Sequence, residues 1–280
     1  MSGPISTADD AACSPACDTH IHIYDPVRFP LIGQAASPPS SQWEDYLAVR
    51  ERLGLARAVI VQPVGYGFDN RCTLDALAQA DGSARAILTF PPHVQHEQLQ
   101  QWEDLGVRGV RCMMIPGAQD LIGWKDVPAL AARIAPWQWT LNLQLDGRTL
   151  AHHESMLTGL PCPLVIDHTG KFLEPVGMEH AGWQSLCRLM DTGRVWVKLS
   201  APYETSRTGP PDYLDVGLLA AELARQWPQR CLWASNWPHP GQAQRPDEQV
   251  LLTLARQWAG SPDHARQILI DNPAALYRFA

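Results

Sequence analysis

Short apolar runs and longer amphipathic segments alternate along nearly the whole chain. A continuous apolar run bounded by turn residues predicts a strand buried on both faces. Apolar residues three or four apart predict a helix lying against it. The first run ends in Asp18-Thr19-His20-Ile21-His22-Ile23-Tyr24-Asp25. Further strands are predicted over residues 58–64, 85–90, 107–114, 139–146, 163–168, 195–200 and 231–235. Helices are predicted between them over 43–53, 73–80, 97–105, 127–135, 148–158, 183–191 and 213–227, and two more over 247–259 and 262–276 close the chain. Gly54, Gly106 and Gly193 each stand where a helix must stop before the next strand.

Strand–helix alternation implies a parallel sheet with helices outside it. Eight such units in roughly 250 residues match a (β/α)8 TIM barrel of the α/β class. A doubly wound open sheet is the competitor, but no Gly-rich phosphate loop follows the first strand. No linker or low-complexity tract interrupts the pattern. It therefore predicts a single domain over 17–280, preceded by a flexible N-terminal arm over 1–16. The segment 26–39, with Pro26, Pro30, Gly33, Pro38 and Pro39, is too rich in breakers for a helix and is a candidate cover for an active site.

Composition narrows the picture. The chain has 280 residues, is 45% hydrophobic and carries a net charge of -7, which argues against nucleic-acid and polybasic membrane partners. No apolar run approaches the ~20 residues a membrane helix needs, and the first residues lack the make-up of a signal peptide. Seven cysteines without a CxxC pair read as small buried hydrophobes in a reduced, cytoplasmic setting.

In a barrel, chemistry belongs at the C-terminal ends of the strands. His20 and His22 share one strand face under period two, with Asp18 and Tyr24 beside them. Two imidazoles there bind a metal, polarise a carbonyl or move protons. The loop after the second strand offers Tyr66 and Asn70. Arg108 and Arg111 point to opposite faces of the fourth strand, and Arg111, nearer its end, is the site candidate. On the fifth, Gln144 is the ligand-facing candidate and Asn142 the deeper, structural one; Asp146 shares their face. The sixth ends at Asp167 and His168. The seventh carries Lys198 and Ser200, followed by Tyr203, Glu204 and Arg207. The eighth ends at Asn236, then His239. Neither a Gly-x-Ser-x-Gly elbow nor a His-Glu-x-x-His pair occurs.

Asp18-Thr19-His20-Ile21-His22, Arg108-Gly109-Val110-Arg111, Ile166-Asp167-His168-Thr169-Gly170, Val197-Lys198-Leu199-Ser200 and Trp237-Pro238-His239-Pro240 together resemble the amidohydrolase superfamily. Within it they resemble the lactonase-type branch of pyrone-dicarboxylate lactonases and galactarolactone isomerases. The resemblance implies a barrel enzyme that hydrolyses a small anionic, carboxylated lactone. His20, His22 and His168 would polarise the lactone carbonyl and stabilise its oxyanion. Arg111 would hold a carboxylate, with Arg207 as a further cation. Gln144 and Asn236 would bind oxygens, and Tyr66, Asn70, Lys198 and His239 would add substrate contacts.

Two departures stand out. Metal-dependent members carry an Asp where this chain has Asn236, and Arg111 and Gln144 replace binuclear ligands, so no metal and no cofactor are expected. The strand-eight Asp is also the water-activating base of the pyrone lactonases, and a neutral amide cannot take its place. The base would then be a histidine, or Glu204. Lactone isomerisation, with a substrate hydroxyl as nucleophile, stays open. So do a mononuclear metal hydrolase or decarboxylase using His20, His22 and His168, and a non-catalytic anion-binding barrel. Trp102, Trp137 and Trp258 mark helix faces that are either core or a homo-oligomer interface.

Overall fold

The computed structural model describes residues 14–32, 40–115 and 121–279. Eight strands pair in sequence order, all parallel: β1 Ser14–Ile21, β2 Leu55–Val61, β3 Ala84–Leu88, β4 Val107–Met113, β5 Thr140–Gln144, β6 Leu164–Ile166, β7 Val195–Leu199 and β8 Cys231–Trp233. The seam between β8 and β1 is closed by backbone bonds from His22 N to Trp237 O (2.7 Å) and from Asn236 N to His20 O (3.0 Å). Helices α1 Trp43–Arg52, α2 Arg71–Gln79, α3 His96–Leu105, α4 Val127–Ile134, α5 Leu150–Thr158, α6 Ala181–Asp191, α7 Leu214–Gln226 and α8 Glu248–Ala259 each follow one strand. The architecture is the single-domain (β/α)8 barrel read from the alternation.

Most boundaries fall within a few residues of those expected. Ser14–Ala16, expected in the N-terminal arm, form the start of β1, while 1–13 lie outside the described residues. Part of the Pro-rich segment, 33–39, lies outside them too. The expected closing helix is three pieces, α9 Pro262–Arg266, a wider π-turn Gln267–Asp271 and α10 Asn272–Tyr277. Pro273 has no N–H for the helical ladder, and the wide turn lies just before it. Trp102 and Trp258 belong to the core layer between helices and strands, and Trp137 packs partly buried against it. No described helix is long and apolar enough to cross a membrane. The six described cysteines are unpaired.

The barrel interior is built in two levels. Cys17, Val59, Ile87, Val165, Trp196 and Leu232 fill the lower part, capped by Tyr277. Above them the inward positions turn polar: His20, Arg111, Asn142, Asp167 and Lys198 are all buried. Two register shifts let this happen. In β4 the pairing jumps from Ala86↔Val107 to Ile87↔Gly109, which leaves Arg108 outside, paired with Glu103 at 3.2 Å, and turns Arg111 inward. In β1 it jumps from Asp18↔Ala58 to Ile21↔Ile60. Cys17 and His20 therefore both face in although three residues apart. Asp18, expected on the histidine face, instead accepts bonds from Ser235 N (2.9 Å), Ser235 Oγ (2.5 Å) and Tyr46 Oη (3.3 Å). The bulge reverses the period-two reading there.

Gly109 is needed at the first of these shifts. A Cβ there would stand 2.4 Å from the Thr140 carbonyl oxygen and 2.9 Å from Ile87 Cδ1. Gly109→Ala is expected to destabilise the protein by about 2 kcal/mol through overpacking, read as a lowered urea midpoint. Gly123→Ala, whose Cβ would meet nothing closer than 3.5 Å, serves as the control.

Candidate active site

A cavity of about 380 Å³ opens at the C-terminal ends of the strands. His22, Arg111, Gln144, His168 and Asn236 line it, together with Tyr24, Val64, Met113, Lys171, Glu204, Pro240 and Gln242. His20 lies directly below, its ring 4.7 Å from that of His22 and 5.1 Å from that of His168. A hollow of about 520 Å³ at the opposite end of the barrel, beside Trp196 and Arg230, contains none of these groups.

Four expected substrate contacts do not reach the cavity. Tyr66 is buried, and its hydroxyl accepts from Asp25 N (2.9 Å). Asn70 clamps the β3 end, donating to Thr89 O (2.9 Å) and accepting from Thr89 N (3.1 Å). Lys198 is fully enclosed beneath His20. His239 is buried between Tyr203 Oη (2.8 Å) and Glu248 Oε1 (3.0 Å), which engage both ring nitrogens. Arg207 pairs with Glu174 on the exterior, and Asp146 holds Arg148. Strand-end position identifies which segments approach the mouth, but not which side chains are consumed in bracing it.

The second cation of the cavity is Lys171, three residues after His168 and paired with Glu204. The only sequence signal for it was its place in the loop ending β6. Non-glycine residues with positive φ cluster at these strand ends: His168 (56°), Thr169 (54°), Lys171 (41°), Ala201 (46°) and Asn236 (64°). Such backbone is held by its surroundings and collects at functional sites.

Hydrogen-bond direction assigns several protons. His22 Nδ1 lies 2.7 Å from Val61 O, which only accepts, so Nδ1 carries the proton. With the Ser200 hydroxyl turned toward Lys198 O (3.4 Å), its oxygen accepts from His168 Nδ1 (2.9 Å). His168 Nε2 is left as a lone pair. Burial pushes all three histidines well below the usual imidazole value, reinforced by Lys198 at His20, Arg111 at His22 and Lys171 at His168. They are neutral at pH 7, and the N–H groups of His22 and His168 are already engaged. The expected donation by His22 and His168 to a substrate oxyanion therefore does not follow from this geometry. Among the described residues, the side-chain donors facing the cavity are the cations Arg111 and Lys171 and the amide of Gln144. One hydrogen on each terminal nitrogen of Arg111 is taken, by Gln62 O (2.9 Å) and Gln144 Oε1 (2.6 Å), which aims the rest of the guanidinium. Asn236 Nδ2 donates to Tyr203 Oη and to Glu204 Oε1, each at 3.0 Å. A carboxylate only accepts, so the amide nitrogen must face it; Asn236 Oδ1 is buried with no hydrogen-bond partner among the described residues.

Ligand atoms of His20, Asp167 and His168 lie within 4.8 Å of one another. The charges around them oppose a dication. Asp167, the carboxylate of the group, has Lys198 Nζ at 3.1 Å, Arg111 is buried nearby, and the strand-eight position is a neutral Asn236. Burial pushes Asp167 up, but the Lys198 charge outweighs it and holds the carboxyl well below the usual range. Its negative charge is thus already balanced, and the donor set does not fit a resident divalent metal.

An amidohydrolase family model matches residues 17–279. The chain belongs to the amidohydrolase family. It is 34% identical over 287 residues to a 4-sulfomuconolactone hydrolase of Rhizobium radiobacter, covering 99% of this chain and 93% of that protein. It is 31% identical over 273 residues to a 2-pyrone-4,6-dicarboxylate hydrolase of Comamonas testosteroni, covering 94% and 90%. It is 29% identical over 270 residues to a D-galactarolactone isomerase of Agrobacterium fabrum, covering 95% and 91%.

Neutral burial of the three histidines makes this amidohydrolase sensitive to acid. Their folded pKa values lie below the unfolded value of about 6.5, so the unfolded chain binds more protons as pH falls. The stability they contribute is present above pH 6.5 and drains as pH drops toward the folded values. His168→Asn should reduce the slope of unfolding free energy against pH, between about 6.5 and 5.5, by up to about 1.4 kcal/mol per pH unit. Asp18, pushed up to about 6 by burial, acts in the opposite sense but is common to both proteins. Urea titrations across that range measure the difference. An unchanged slope would mean that His168 takes up its proton as readily in the folded chain as in the unfolded one.

Proposed function

We propose that the protein is a metal-independent lactonase that hydrolyses a small anionic lactone, with His168 as the general base. The observation that carries this reading is the His168 ring: neutral, tied at Nδ1 to Ser200, and open at Nε2 in a cavity that also holds Arg111 and Lys171. Water held at Nε2 gives up its proton there as its oxygen adds to the lactone carbonyl. Charge then develops on the carbonyl oxygen, where Lys171 meets it; one such donor is worth about 3 kcal/mol. Arg111, aimed by Gln62 and Gln144, holds the anionic group of the substrate through its remaining N–H groups. Gln144 Nε2 donates to another substrate oxygen, and Asn236 Oδ1 accepts from the attacking water. Collapse of the tetrahedral adduct expels the ring oxygen, which takes the proton from His168 and opens the lactone to a hydroxy acid. The relatives that act on 2-pyrone-4,6-dicarboxylate and 4-sulfomuconolactone support an anionic, unsaturated lactone.

Asn236 Oδ1 favours a second reading. A buried, unpaired amide oxygen is suited to accept a hydrogen bond from a substrate hydroxyl. That hydroxyl, rather than water, would attack the carbonyl in a lactone isomerase such as the galactarolactone enzyme.

A panel of carboxylated and sulfonated lactones, followed by pH-stat and proton NMR in parallel, separates the two. Hydrolysis releases acid as lactone is consumed, whereas isomerisation changes the ring without releasing acid. His168→Asn is expected to lower kcat by roughly 10²–10⁴-fold with less effect on KM, and Arg111→Met to raise KM. Turnover should survive exhaustive dialysis against a chelator. Its loss on dialysis, with recovery on adding zinc or manganese, would overturn the metal-free mechanism. Absence of turnover across the panel would count against a lactonase of either kind.

A further inference from the structure

Lys198 lies on the inward face of β7, where Val195, Val197 and Leu199 face outward. Its side chain is wholly enclosed, it does not line the cavity, and no substrate reaches it. A buried ammonium is a costly way to fill a barrel interior, so its placement asks for a role.

Nζ of Lys198 stands 3.1 Å from His20 Nδ1 and 3.1 Å from Asp167 Oδ1, and Asp167 Oδ1 is 3.4 Å from the same His20 nitrogen. Two groups thus compete to decide what His20 Nδ1 carries. A carboxylate accepts only and would hold a proton on Nδ1. An ammonium donates only and requires a lone pair there. Lys198 is the nearer of the two, and it uses Asp167 as its own counter-ion. With the lone pair on Nδ1, the proton of neutral His20 sits on Nε2, which lies 3.2 Å from His22 Nε2. His22 keeps its proton on Nδ1, bonded to Val61 O at 2.7 Å, so its Nε2 is an acceptor. Every bond then runs one way: Lys198 to His20, His20 to His22, His22 to Val61. The opposite tautomer of His20 would set two lone pairs facing each other at 3.2 Å.

We propose that Lys198 is a positioning residue that fixes the proton of His20 on Nε2 and, through it, closes the His20–His22 pair so that neither ring has an N–H to offer the cavity. The pair is a filled floor under the site. Acceptance of a proton from the nucleophile is left to His168, and donation to the substrate to Arg111, Lys171 and the Gln144 amide. This assignment does not depend on which lactone, if any, is turned over.

Long-range proton–nitrogen NMR of the full chain labelled at histidine reads the tautomers directly, with signals assigned from His20→Asn and His22→Asn. The expected wild-type pattern is protonation at Nε2 on His20 and at Nδ1 on His22. In Lys198→Met the competing carboxylate is alone, and the His20 proton should move to Nδ1. In Lys198→Gln an amide donor remains, and it should stay on Nε2. On a lactone that is turned over, Lys198→Met should lower kcat with KM nearly unchanged, and Lys198→Gln should restore much of it. Wild-type His20 protonated at Nδ1 would overturn the proposal whether or not the Met variant folds. So would a Met variant that folds with the His20 tautomer unchanged. The spectra need no substrate, so failure of the lactonase reading leaves this test intact.

Discussion

The upper half of the barrel depends on one ion pair, Lys198 with Asp167 at 3.1 Å. Both side chains are fully buried and come from neighbouring strands. Without its partner, either charge would be stranded in a low-dielectric interior, a penalty of several kcal/mol. Together they leave the floor of the cavity neutral while keeping fixed dipoles under it. Their presence is also what makes the site a poor host for a divalent cation. The carboxylate that would anchor a metal is already neutralised, and Asn236 adds no further negative charge.

Above that pair, donors and acceptors are sorted. The imidazoles that open onto the cavity have their N–H groups turned toward Val61 and Ser200. Arg111 and Lys171 supply positive charge to the same cavity. Asn236 is braced by Tyr203 and Glu204, and Tyr203 in turn by His239 and Glu248. A base that is neutral at pH 7 beside fixed cations is suited to acyl transfer on an anion. In the proposed reaction the cations would hold the substrate and its developing charge; Lys171 and Arg111 also lower the affinity of His168 for a proton. The left-handed backbone at His168, Lys171 and Asn236 shows that the loops pay for this arrangement in conformational strain.

Much of the frame was legible because it is repetitive. Each strand is buried on both faces and reads as an apolar run, and each helix presents one apolar side. His22, Arg111, Gln144, His168 and Asn236, all chosen because they end strands, are also residues that line the cavity. Tyr66, Asn70 and His239 were chosen on the same ground and are instead spent on bracing loops. A strand end offers a polar side chain either use, and only the neighbours decide. Lys171 was passed over because its loop carries no period to orient it.

The sequence by itself determined the strand–helix alternation, the barrel, the family and the convergence of His20 with His22. These follow from local periodicity and from residue types, which the chain carries explicitly. The tertiary structure decided what periodicity cannot express. The bulge in β1 turned Asp18 away from the histidines, and the one in β4 set Arg111 rather than Arg108 facing the barrel interior. Contacts between residues far apart in the chain, Val61 with His22, Ser200 with His168 and Lys198 with His20, set which nitrogens hold protons. A histidine is donor or acceptor according to its partner, and the partners that fix these three rings, Val61, Ser200 and Lys198, come from other strands or their ends.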